Sequence, residues 1–216
     1  MSAKLHPTNP EKSARCVIFS GAPDCVLFTP KASDFIIACD HGYDHAVSQG
    51  IRPHLLMGDF DSCLIPRDPS IPCIAVSAEK DDTDTMLAVR HGLSLGFQDF
   101  LLLGATGGRV DHFWANCSIC AFLAKQGARC EMRDSSYTLY TLSPGSLTLR
   151  RQKGAFLSVF SFCDVSYGIT LEGVKYPLKN ATLTNDVPLG VSNEFAAEVA
   201  RISLRSGLLL ILITYS

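Results

Sequence analysis

An α/β domain built on a parallel sheet, followed by an antiparallel β-sandwich, is the fold class that three features of this 216-residue chain predict. Up to about residue 135, short apolar runs alternate with stretches of helical apolar spacing, the pattern of parallel strands joined by right-handed crossovers. Beyond that point no convincing helix follows, and short β-rich segments are separated by Pro144-Gly145, Gly154, Gly168, Gly173 and Gly190. Thirdly, three polar clusters each follow an apolar run; in an open α/β sheet, clusters at strand ends line one crevice. The expected organisation is an α/β domain over 1–135 and a β-sandwich over 136–216.

Cys16-Val17-Ile18-Phe19 reads as a first buried strand running into a Ser20-Gly21 turn. Residues 35–39 form the second strand, followed by Asp40-His41-Gly42 and a short helix over 43–49 closed by Gly50. Residues 55–57 lead into Gly58-Asp59-Phe60-Asp61, and prolines at 66, 69 and 72 mark the loop before the run at 71–76. Thr83 is placed as the N-cap of a helix whose apolar positions are Met86, Val89 and Leu93 and which Gly96 stops. Residues 100–103 are a further strand. Trp114, Cys117, Ala121 and Ala124 mark one face of the next helix, Gly127 ends it, and 128–132 is again a strand. In the second domain, strands are expected at 137–142, 156–162, 169–174, 198–203 and 208–213.

A formal net charge of -2 gives none of the basic excess that nucleic acid or an acidic membrane would call for, so a small-molecule substrate is expected. The first 15 residues are polar and proline-containing, which reads as a frayed leader rather than a targeting segment. The longest apolar run, at 208–213, is far too short to span a bilayer. Nine cysteines, an odd number scattered through apolar runs, fit reduced buried thiols in a cytoplasmic protein. Cys117 and Cys120 make a C-x-x-C, but no second pair stands at zinc spacing, and positions i and i+3 of an apolar helical stripe explain them.

Asp59-x-Asp61 directly after a strand places two carboxylates within reach of one hard cation such as Mg²⁺, which takes oxygen ligands and is completed by substrate phosphates. A solvated turn is the plainer reading of the same three residues. Lys80, Asp81, Asp82 and Asp84 follow the next strand: acids there favour a helix dipole with Thr83 as cap, or Lys80 pairs phosphate oxygens while an acid completes the metal shell. Gly104-x-x-Gly107-Gly108-Arg109 opens a helix, where glycines admit an anion to backbone amides and Arg109 offers a fork matched to phosphate. It matches neither the Walker A pattern nor the dinucleotide fingerprint. Asp111 and His112 stand where that helix begins, and His112 is read as capping or packing rather than as a base. Jointly the three clusters predict phosphoryl-type transfer from a Mg²⁺-nucleotide by positioning and charge neutralisation.

These residues resemble the thiamine pyrophosphokinase family. The resemblance rests on Gly58-Asp59-Phe60-Asp61-Ser62, Glu79-Lys80-Asp81-x-Thr83-Asp84 and Gly104-Ala105-Thr106-Gly107-Gly108-Arg109-x-Asp111-His112 with Asn116. Gly173-x-Lys175-Tyr176-Pro177-Leu178 and Gly190-Val191-Ser192-Asn193 continue it, in order, to the C-terminal strands. It implies an α/β nucleotide-binding domain and a β-sandwich that binds thiamine and dimerises. The implied enzyme is a homodimer with thiamine near the subunit interface, moving a pyrophosphoryl group from ATP to the thiamine hydroxyl and releasing AMP. Carried onto this sequence, it implies Asp59, Asp61 and Asp84 as Mg²⁺ and catalytic acids, and Lys80 and Arg109, with Thr83 and Gly107, as phosphate partners. Asp111 would hold the geometry of that site. Ser20, Gly21, Asp40 and Gly42 match positions lining the nucleotide pocket, and Ser192 and Asn193 match a motif associated with thiamine, although a Gly-x-Ser-Asn alone reads as a turn.

The sequence departs from that pattern at His41, where the family has a small residue or glycine, and at His54, where it has an acid after the proline. Three other readings compete. A Mg²⁺-dependent nucleotide-sugar transferase would use the D-x-D but leaves Lys80, Arg109 and the β domain unexplained. An aspartyl phosphatase requires its motif on the first strand. A non-catalytic sensor of thiamine diphosphate or a nucleotide is expected to have lost the carboxylates that this chain retains.

Overall fold

The computed structural model describes residues 14–59, 63–76 and 81–215. Most of the expected leader lies outside these, but its last residue is anchored rather than frayed: Arg15 donates to both carboxylate oxygens of Asp34, at 3.0 and 2.8 Å. The chain divides into two compact units, residues 1–116 and 117–216.

In the first unit, strands β1 (Cys16–Phe19), β2 (Phe35–Cys39), β3 (Leu55–Gly58), β4 (Cys73–Ala75) and β5 (Asp99–Leu103) form a parallel array in the order β5-β1-β2-β3-β4. The four residues of β1 are wholly buried because both faces of the strand are covered. Val17 and Phe19 pack with Tyr43 and Ala46 of α1 (Gly42–Ser48) on one face. On the other face Cys16 meets α2 (Asp84–Ser94), where a side chain at Gly92 would strike Cys16 and Phe100. Close approach of α2 to the sheet therefore selects glycine, and the buried stripe of the helix is Thr85, Ala88, Val89 and Gly92. That stripe is rotated from the expected Met86, Val89 and Leu93, because small residues, not the bulky ones, face the strands.

Helix α3 (Val110–Lys125) begins in the first unit and ends in the second. Cys117, Cys120, Ala121 and Ala124 are buried as expected, with the Cys130 thiol 3.1 Å from that of Cys120. Trp114 is not: the first turns of α3 stand exposed, and its side chain is 61% accessible. All nine cysteines lie among the described residues, and none is in a disulfide.

The second unit is antiparallel. Strands β6 (Arg129–Arg133), β7 (Tyr137–Leu142), β9 (Phe156–Ser161), β12 (Gly190–Glu194) and β14 (Leu209–Thr214) run in the order β12-β9-β14-β7-β6. Against them lie β8 (Gly145–Arg150), β10 (Val165–Glu172), β11 (Leu178–Thr184) and β13 (Val199–Leu204), ordered β11-β10-β13-β8. Leu157, Val159 and Ile211 from one layer meet Ile169, Leu171 and Ile202 from the other in a single core. Strands β8, β11 and β12 are additions to the expected set. Among the described residues, no helix is long and apolar enough to cross a membrane.

Candidate active site

Register places the loops. Phe19 pairs with both Ala38 and Leu103, and Cys39 with Met57, so β1, β2, β3 and β5 end at one level and the segments after them leave from one edge. A cavity of about 470 Å³ opens there, lined by Ser20, Gly21, Asp40, Thr83, Asp84, Gly107 and Arg109 among the residues expected at a site, and by Thr85, His112 and Asn116.

Backbone conformation builds this edge. Ser20 N–H donates to Leu103 O at 2.8 Å and Ala22 N–H to Gly104 O at 2.9 Å, which zips the segment after β1 to the glycine loop. Asp40 takes a left-handed φ of 44°, and its carboxylate lies so close over Gly58 that no side chain fits at 58. Gly42 does not line the cavity; it lets the start of α1 press onto the end of β1, where a Cβ would meet the Phe19 carbonyl. Asn116 donates from Nδ2 to Ala105 O at 2.7 Å, so α3 grips the loop from the far side.

Thr83 caps α2 as expected, accepting from Met86 N–H at 3.2 Å, and this sets Asp84 and Thr85 at the helix N-terminus facing the cavity. Thr85 is a residue that the sequence reading passed over. Its hydroxyl and that of Ser20 lie 2.9 Å apart and buried, tying β1 to α2 beneath the cavity floor. Only an inward-facing hydroxyl beside an N-cap could have signalled it.

Arg109 and Asp111 form a bidentate pair, Nε to Oδ1 at 3.1 Å and Nη2 to Oδ2 at 2.5 Å, both side chains exposed. The hydrogen bonds from Arg109 are the main reason the Asp111 carboxyl is held down to about 2. Asp111 thus aims the guanidinium that lines the cavity without lining it itself. Asp111 also accepts the His112 N–H at 3.0 Å, and the exposed His112 is among the residues that line the cavity.

Asp59 is partly buried and is not among the cavity-lining residues; Asp61 and Lys80 lie outside the described residues. Beyond that gap, Asp44 accepts the N–H groups of Leu64 and Ile65, each at 2.8 Å, and a contact from His41 Nδ1 at 2.7 Å. Burial raises the Asp44 carboxyl, but these bonds together outweigh it and hold the group below the ordinary carboxylate range. His41, the first departure, is thereby engaged in a local pair. His54, the second, stacks on Phe35 and accepts the Ile36 N–H on Nδ1 at 3.0 Å, a role that a carboxylate could fill equally.

Among the described residues, no group of three or more acidic, His or Cys side chains is placed to hold a metal ion. Mg²⁺ asks less of a protein, one or two carboxylates completed by substrate phosphates. Asp40 and Asp84 are the described acids that line the cavity.

Ser192 and Asn193 lie in β12 of the second unit and differ in state. Ser192 is exposed with a left-handed φ of 58° at a bulge in the β12–β9 pairing, its N–H bonded to Ser158 Oγ at 3.0 Å. Asn193 is buried and hydrogen-bonded to the Tyr176 backbone.

Fold and cavity together define a mixed α/β protein with a cavity at the carboxyl edge of parallel strands, where open α/β sheets bind ligands, and an antiparallel sandwich after it. Two family models match in succession: "Thiamin pyrophosphokinase, catalytic domain" over residues 29–132 and "Thiamin pyrophosphokinase, vitamin B1 binding domain" over 145–209. The thiamine pyrophosphokinase of Bacillus subtilis (strain 168) is 29% identical over 196 residues, covering 88% of this chain and 91% of that protein. Its crystal structure superposes with a TM-score of 0.84 at 25% identity, over 94% of this chain and 99% of that one. A thiamin pyrophosphokinase family protein from Enterococcus faecalis gives 0.77 at 27% identity, with 94% and 99% covered. The chain belongs to the thiamin pyrophosphokinase family, and it is an enzyme.

Proposed function

We propose that this enzyme carries the pyrophosphoryl group of ATP to the hydroxyl of thiamine, with Mg²⁺, in a cytoplasmic homodimer with thiamine near the subunit interface. The observation that carries the proposal is the meeting of three separated polar segments, at 20–23, 83–85 and 104–109, around one cavity. Residues 1–135 serve the nucleotide and 136–216 serve thiamine and dimerisation, a division supported by the gap between the two matched families at 133–144.

In this reading ATP lies along the cavity with its phosphates at the N-termini of α2 and α3, where the helix dipoles favour negative charge. Gly107, with a left-handed φ of 80°, lets the loop backbone approach the phosphates, and Arg109 neutralises them, steered by Asp111. Lys80 pairs the same oxygens. Ser20, Gly21, Asp40, Gly42 and Thr83 shape the nucleotide side. Asp59, Asp61 and Asp84 would hold Mg²⁺, which would offset the charge that builds on the phosphate oxygens. The thiamine hydroxyl oxygen attacks the β-phosphorus; the bond from that phosphorus to the oxygen bridging it to the α-phosphorus breaks and AMP leaves. In a loose transition state the hydroxyl proton is lost late, to one of the site carboxylates.

Incubation with ATP, Mg²⁺ and thiamine, with nucleotides resolved by chromatography, tests this. Thiamine-dependent AMP is expected. ADP, or no turnover that depends on thiamine, overturns it.

A further inference from the structure

Ser20, Gly21, Ala22 and Pro23 make one wall of the cavity, and no strand ladder reaches the far end of that wall, because β1 ends at Phe19 and β2 begins at Phe35. What holds it is Ala22, bonded through both of its backbone groups. The Ala22 N–H donates to Gly104 O at 2.9 Å, toward the glycine loop, where a side chain at Gly108 would strike the Pro23 ring at 2.7 Å. The Ala22 carbonyl lies 2.6 Å from Nε2 of His45, on α1. A carbonyl oxygen only accepts, so Nε2 carries the hydrogen and donates it. The wall is thus held by the glycine loop on one side and by a single side chain on the other.

That side chain is itself held. The His45 ring is partly buried and stands edge-on to the ring of His41, with centroids 4.7 Å apart. His41 Nδ1 lies 2.7 Å from Asp44 Oδ2, and Asp44 is fixed in turn by the Leu64 and Ile65 amides. A Cβ at Gly104 would come within 3.3 Å of His45 Cδ2, so the imidazole fills the corner between α1, the segment after β1 and the glycine loop. His45 does not line the cavity, and a nucleotide bound there would feel it only through Ala22.

We infer that His45 is a positioning residue for the nucleotide: its Nε2–H clamps the Ala22 carbonyl to α1 and so fixes the wall at 20–23. This deepens the proposed function and rests on it for the identity of the ligand, ATP, while the clamp itself is independent of that reading. Were the ring only filling its corner, another ring of the same size without the N–H would serve equally.

Two variants of the full-length enzyme separate these roles. His45→Phe keeps a ring and removes the donor, and His45→Gln keeps a donor at about the reach of Nε2 and removes the ring. In the AMP-forming assay, His45→Phe is expected to raise the ATP KM about tenfold, with kcat and the thiamine KM within about twofold, the pattern of lost substrate binding. His45→Gln is expected to stay within about threefold of the wild-type ATP KM. A phenylalanine variant with the wild-type ATP KM, or a glutamine variant as impaired as the phenylalanine, overturns the inference. If His45→Phe does not fold, His45→Ala takes its place against His45→Gln, and failure of both to fold overturns the inference in favour of a core role. Amide hydrogen exchange supplies a readout that needs no turnover: in His45→Phe the Ala22 amide is expected to exchange at least about tenfold faster while those of β1 and β2 keep their rates, and His45→Gln is expected to restore its protection. Unchanged protection at Ala22 overturns the clamp. Absence of thiamine-dependent AMP in the wild type would remove the reading of function, and the exchange result would still decide the role of His45.

Discussion

Replacing Gly42 by alanine tests whether the site depends on how closely α1 is pressed against the end of β1. A Cβ at 42 would stand 2.5 Å from the carbonyl carbon of Phe19, closer still to its oxygen, and 3.0 Å from Ser20 O. Ordinary contacts between such atoms begin near about 3.5 Å, so strand end and helix start must separate by roughly 1 Å. No rotamer relieves this, because every obstructing atom is backbone. Overpacking of this kind costs about 1–3 kcal/mol, or about 2–12 °C in Tm for a chain of this length. The functional effect is larger than the stability effect, because the two segments forced apart carry Ser20 and Asp40 into the cavity. A misplacement of about 1 Å is worth on the order of 100-fold in rate, so kcat/KM for ATP is expected to fall about that far. Gly50→Ala is the control. Gly50 has a φ of +70° with nothing within 4 Å of an added Cβ, so it incurs about 1–2 kcal/mol of left-handed strain without touching the cavity, and its activity is expected to stay within about twofold of wild type. Turnover at varied ATP and thermal unfolding of the three proteins decide the matter. A Gly42→Ala enzyme with wild-type kcat/KM, or a Gly50→Ala enzyme equally impaired, refutes the reasoning.

Thr85→Val removes a buried hydroxyl and leaves that of Ser20 without its partner; a loss of about 1–3 kcal/mol in denaturant unfolding and a raised ATP KM are expected. Asp84→Asn and Asp61→Ala are each expected to lower turnover at least about 100-fold. Asp84→Asn keeps the shape of the side chain and removes its charge; near wild-type turnover would remove the metal assignment. His54 bears on pH. Loss of hydration against Phe35, then the Arg52 charge, holds its folded pKa below the usual 6.5, so the unfolded chain binds the proton first. The His54 contribution is full above pH 6.5 and is lost as pH falls through the lower folded value. His54→Asn, keeping an acceptor for Ile36 N–H, is expected to flatten the fall of Tm below about pH 6.5, and an unchanged slope would refute the assignment.

The first unit was legible in the sequence because its strands are covered on both faces. Four consecutive buried residues, Cys16 to Phe19, cannot alternate, and the loops between such runs hold polar residues that have no core to enter. The second unit conceals its strands. In β11 only Leu183 of seven residues is fully buried, β8 begins on the glycine of a Pro-Gly pair, and β12 carries a left-handed Ser192 that reads as a turn. The stripe of α2 was misread for a related reason: periodicity finds the bulky residues of a helix, and this helix packs by its small ones.

Motif membership alone also failed to separate residues that contact a ligand from residues that shape the place where one binds. Gly42 holds two backbones together and Asp111 turns an arginine, yet each stands in a motif beside a residue presented outward. The distinction lies in whether a side chain's polar atoms are already committed. Arg109 keeps donors beyond the two that Asp111 accepts, since a guanidinium has five N–H groups. Asp111 has each oxygen engaged by that guanidinium. Substitution of the first kind of residue should therefore act on the charge and affinity of the bound ligand, and substitution of the second should act through the neighbour it holds, a difference that coupling between paired variants can read where single variants cannot.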